Sequence, residues 1–81
     1  MNLIETTKLM GSSDFEDRFK AEYYQLTNRI EGLENMLTKY ANDELNFTPN
    51  CSYDLLNGQL KAMELYLSYL EERAIKEDIE L

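Results

Sequence analysis

The apolar positions fall into two long stretches with one rhythm. In the first, Phe19, Tyr23, Leu26, Ile30, Leu33, Leu37 and Tyr40 recur at intervals of four and three. In the second, Tyr53, Leu56, Leu60, Met63, Leu67, Leu70 and Ala74 recur at three and four. Alternating threes and fours are the a and d positions of a heptad, an apolar seam along one side of a helix. A strand would alternate every two residues, and nothing here does. The pattern predicts helices over about 14–43 and about 52–78, joined by a loop over 44–51. The first would be about 45 Å long at 1.5 Å per residue.

The ends of these stretches carry their own signals. Ser13-Asp14-Phe15-Glu16 has the capping-box form, in which Ser13 accepts from the Glu16 N–H and Glu16 reaches back. Asp14, Glu16 and Asp17 set negative charge at the positive end of the helix dipole. Asn42, Asp43 and Pro49 mark the loop, and Leu45 and Phe47 are expected to fold back over the core there. Ser52 caps the second helix, with Thr48 followed by Pro49 as the alternative start. Residues 1–12 form a short N-terminal arm ahead of a hairpin domain at 13–81, and the tail from Asp78 is expected to fray.

Two heptad helices with a short loop make an all-α antiparallel helical hairpin, coiled-coil-like. Aligned around the loop, Leu37 meets Leu60, Leu33 meets Met63, Ile30 meets Leu67, and Leu26 meets Leu70. This seam leaves apolar residues over. Leu55, Ala62, Tyr66 and Tyr69 lie on a second stripe that one hairpin cannot cover. They are the expected interface of a homo-oligomer, a dimer or tetramer assembled as a helical bundle.

Length supports that expectation. At 81 residues the core is marginal, and the usual reinforcements are disulfides, metal or oligomerisation. One cysteine, Cys51, allows no internal disulfide, and the lack of histidine disfavours a zinc site. Glu31 and Glu34 stand one turn apart as in di-metal bundles, but those need Glu-x-x-His. Metal and cofactors are therefore not expected. Nor is catalysis: no histidine can serve as base, Glu71 and Glu72 face different ways, and Cys51 reads as a loop-packing residue. No apolar run reaches the roughly 18–20 residues of a membrane span, and the start lacks the pattern of a signal peptide. An unpaired cysteine fits a reducing cytoplasm.

Charge narrows the partners. With 8 basic and 16 acidic residues the net charge is −8, which disfavours non-specific nucleic-acid or anionic-membrane binding. Yet the hairpin alignment gathers Arg18, Lys20, Arg73 and Lys76 at the open end, beside Tyr23 and Tyr24. Guanidinium groups bind phosphate and aromatic rings stack on bases, so these six residues are the candidate site for a small anionic ligand such as a nucleotide. Ordinary surface ion pairing with Asp14, Asp17, Glu22, Glu71, Glu72, Glu77 and Glu80 is the alternative. The acidic surface also suits docking on a basic patch of another protein.

The chain reads R-x-x-x-E-Y-x-x-L-x-x-R-I-x-x-L from Arg18 to Leu33. After the loop it reads L-L-x-x-Q-L-x-A-M-x-x-Y-L-x-x-L-E-x-R from Leu55 to Arg73. Over about 15–75 this resembles small helical-hairpin proteins encoded by crAss-like phages and prophages of gut bacteria. The resemblance carries over no site residues. It implies a phage accessory protein in the cytoplasm of an infected bacterial host, non-enzymatic and acting in counter-defence. Three roles stay open: an oligomer sequestering a host immune signalling nucleotide, such as a cyclic nucleotide; an acidic inhibitor of a host defence protein, of anti-CRISPR or nucleic-acid-mimic type; and a structural or assembly helper.

Overall fold

The computed structural model describes Asn2, Ile4 and residues 14–81. Apart from Asn2 and the exposed Ile4, the expected arm at 1–12 lies outside the described residues, as does Ser13. Two helices follow, α1 (Phe15–Ala41) and α2 (Tyr53–Lys76), packed against each other as an all-α hairpin.

Each helix is started by a side chain. At α1 the cap is Asp14, whose Oδ1 accepts from the N–H of Glu16 at 2.7 Å and of Asp17 at 3.4 Å. The start is thus one residue beyond the Ser13 of the S-x-x-E pattern. At α2 the Ser52 hydroxyl accepts from the Leu55 N–H at 3.1 Å, as the sequence suggests. Both caps occupy donors that the first turn leaves without a partner.

Each helix also ends the same way. Asp43 has φ 57° and Asp78 has φ 55°. Glu44 N–H donates to Lys39 C=O and Ile79 N–H to Ala74 C=O, both at 2.8 Å. Asp43 N–H and Asp78 N–H donate to Tyr40 C=O and Ile75 C=O. This paired pattern is the Schellman motif, with aspartate where glycine is usual. It stops α1 at Ala41, short of the Asp43 expected from the heptads. It also corrects the frayed tail: Ile79 turns back and packs on the core.

The core is the predicted seam. Phe19, Leu26, Ile30, Leu37, Leu60, Leu70 and Ala74 are buried, with Tyr23, Leu33, Leu56, Met63 and Leu67 packed against them. Leu70 is fully buried. Tyr40 and Tyr53, the last rungs before the loop, instead meet edge to face at 5.7 Å, and the Tyr40 hydroxyl donates to the Cys51 carbonyl at 3.5 Å. The expected fold-back of Leu45 and Phe47 does not occur: Leu45 is half-buried outside the core cluster and Phe47 is 55% exposed. Ala21 is buried although it lies off the seam.

Candidate functional site

The open end of the hairpin holds a cleft of ≈ 420 Å³ lined by Phe15, Arg18, Phe19, Glu22, Gln25 and Arg73. Five of these come from α1 and recur along one side of it; Arg73 comes from the last turn of α2. The Arg73 guanidinium lies over the Phe19 ring, 5.0 Å from its centroid, a cation–π contact. Phe15 sits 6.2 Å from Phe19, tilted, and stays half exposed at the mouth.

The cleft continues along the hairpin. Glu22 and Gln25 also line a smaller cleft of ≈ 110 Å³ with Leu26, Arg29 and Tyr66. The Tyr66 hydroxyl donates to Glu22 Oε1, tying α2 to α1 between the two clefts. Phe15, Arg18, Glu22, Gln25 and Arg29 are spaced three and four, so they form one stripe on α1. Arg29 stands three turns beyond Arg18, about 16 Å along the axis. Among the described residues neither Arg29 nor Arg73 is in an ion pair.

The predicted ligand residues divide in two. Arg18 and Arg73 meet in the cleft. Lys20 is paired with Glu16 at 3.3 Å and does not line it. Tyr23 packs on the core, with Tyr24 edge-on at 5.1 Å. Burial raises the Tyr23 pKa above 10.0, and the nearby Glu71 and Tyr24 add to that. Lys76 is exposed at the end of α2, outside the cleft lining. The aromatic partners of the arginines are therefore Phe15 and Phe19. Sequence reasoning had Phe19 only as a seam residue and did not bring Phe15, Glu22, Gln25 or Arg29 to the cleft. Phe15, Glu22, Gln25 and Arg29 carried a signal, a second three-four stripe beside the α1 seam.

A second cleft, of ≈ 400 Å³, lies at the loop end between the outer side of α1 (Gly32, Asn35, Met36, Lys39) and the loop residues Leu45 and Phe47. Its one basic group, Lys39, shares the lining with Glu44, so it lacks the charge of the open end. No helix among the described residues is long and apolar enough to cross a membrane.

A family model described as Sequestin matches residues 13–76. The chain belongs to the Sequestin family. The match takes in both helices and both clefts of the open end, and the family name denotes a protein that sequesters. That name points to binding as the family's role. No curated protein and no solved structure matches the chain.

Proposed function

We propose that the protein sequesters a small anionic ligand of the nucleotide class. The carrying observation is the pairing of Arg73, stacked on Phe19, with Arg18 in one cleft of a Sequestin-family chain. The two guanidinium groups donate to phosphate oxygens. Phe15, open at the mouth, offers a ring face to a base. Glu22 accepts from a hydroxyl or amino group, and no bond is broken. Lys20, Lys76, Tyr23 and Tyr24 stand around the cleft and contribute to its field and walls. The net charge of −8 does not oppose this, because the two adjoining clefts concentrate three of the eight basic residues around one carboxylate.

In this reading the protein is a phage counter-defence factor in the cytoplasm of an infected bacterium, as its likeness to phage hairpin proteins suggests. It acts as a homo-oligomer, a dimer or tetramer that meets along Leu55, Ala62, Tyr66 and Tyr69, and it withholds a host immune signalling nucleotide from its receptor. Calorimetry against cyclic dinucleotides, cyclic trinucleotides and cyclic ADP-ribose isomers tests the ligand. One of them should bind and be recovered intact after heat denaturation; no heat with any would end the proposal. The −8 balance favours a second reading, an acidic inhibitor docked on a basic host defence protein. That complex would weaken steeply with salt. A structural helper would instead co-purify with virions.

A further inference from the structure

Ala21 is covered where the hairpin offers no cover. Its exposure is 0%. At 100° per residue it stands about 170° round α1 from the centre of Phe19, Tyr23, Leu26 and Ile30, the seam that packs on α2. Ala21 therefore faces away from α2, and it takes no part in the core cluster. A methyl group on the outer side of a helix loses all contact with water only when a third segment lies over it.

The cover has a definite extent. Asp17, Tyr24, Gln25 and Asn28 lie within about 60° of Ala21 and are half-buried. Farther along the same side, Gly32, Asn35 and Lys39 are exposed. The covered stretch, Asp17 to Asn28, is about 16 Å long.

Three segments of the chain lie outside the helices. The loop is at the far end of the hairpin from Ala21. The tail is occupied on the other side: Ile79 packs on the core, and Asp78, Glu80 and Leu81 are exposed. That leaves residues 1–13, which enter α1 at its cap, Asp14, about 10 Å before Ala21. Gly11-Ser12-Ser13 is a run suited to a reversal of the chain. The ten residues ahead of it span about 15 Å as a helix and more if extended, enough for the covered stretch. Their apolar side chains are Leu3, Leu9 and Met10, besides Ile4, which is itself 73% exposed.

We propose that the outer side of α1 from Asp17 to Asn28 is the docking surface of the chain's own N-terminal arm, residues 1–13, with Ala21 the point of closest approach. A side chain larger than alanine at position 21 would run into the docked arm. The stripe of Phe15, Arg18, Glu22, Gln25 and Arg29 is centred about 80° round from Ala21, so the arm runs beside the arginine clefts. Its part as their outer wall rests on the proposed function; the docking itself does not.

The test leaves both helices in place. In a Cys51→Ser background, the thiol of Ala21→Cys should react with a maleimide at least tenfold more slowly than that of Asn35→Cys, on the same side beyond the covered stretch. Equal rates overturn the proposal. Trypsin reports on the arm itself, because Lys8 offers it a cleavage site there. Cleavage after Lys8 should be slow in the wild type and at least tenfold faster in Ala21→Gln, with helicity by circular dichroism unchanged. A wild type cut at Lys8 as fast as a free peptide of residues 1–13, or no faster cut in Ala21→Gln, overturns the proposal too. So does protection that fades on dilution, since the arm on the surface is then a second copy's. Protection in a protein that binds no nucleotide leaves the docking standing and removes the ligand reading alone.

Discussion

The two faces of α2 carry similar side chains and meet different fates. Leu60, Leu70 and Ala74 on the inner face are buried against α1; Leu55, Leu65 and Tyr69 on the outer face are open. Hydropathy alone would not separate them. What separates them is the partner: the inner seam has a matching seam in the same chain, within reach of a short loop, and the outer stripe has none among the described residues. The inner face is thus a folding surface, satisfied at any concentration. If the outer one is the association surface proposed above, its worth depends on mass action.

The comparison breaks hardest at Leu70. Leu70→Ala should cost about 2–5 kcal/mol, the range for emptying a buried leucine site. In urea titrations the loss should be the same at every protein concentration. Leu65→Ala should change stability only where copies pair, so equal, concentration-independent losses for the two variants would erase the distinction. Next comes the groove. Arg73→Ala should weaken nucleotide binding at least tenfold, as expected for a charge-assisted hydrogen bond worth about 1.5–3 kcal/mol, while the melting temperature moves little. A large thermal loss with unchanged binding would make Arg73 a structural residue.

Smaller effects sharpen the picture. Ser52→Ala removes the cap of α2 and should cost about 1 kcal/mol in chemical denaturation. Last is an alkaline effect at Tyr23. Burial first, then Glu71 and Tyr24, hold its folded-state pKa above the ordinary 10.0. The folded state keeps the proton longer, so this stabilisation is whole below the unfolded value and drains away as pH rises through the raised one. Unfolding curves above pH 10 should therefore be flatter for Tyr23→Phe than for the wild type.

Most of the fold was legible because a heptad is a redundant signal: twelve of the fourteen seam positions join the core cluster, and a one-residue error anywhere would have broken the pattern. The two departures, Tyr40 and Tyr53, sit where the loop draws the helices into an edge-to-face ring pair. What escaped reading depends on single backbone angles. Asp43 and Asp78 take the left-handed conformation that glycine would announce, so the end of α1 and the return of Ile79 were hidden. At the site, the arginines were found from charge, but the rings were sought among the tyrosines. Tyr23 proved to be a seam residue first, and the exposed ring beside the arginines is Phe15, on the stripe adjoining the seam.

The helix ends have a consequence for engineering. Asp14 and Ser52 begin the helices, and Asp43 and Asp78 end them, with bonds that lie within a turn of each terminus. Within the loop, only Glu44, whose N–H closes the end of α1, and Cys51, whose carbonyl accepts from Tyr40, bond to a helix. A chain severed between Leu45 and Asn50 keeps both residues, and the two halves should find each other through the seam. The hairpin is thus suited to fragment complementation, with each helix fused to half of a reporter whose signal returns when Leu37 again meets Leu60.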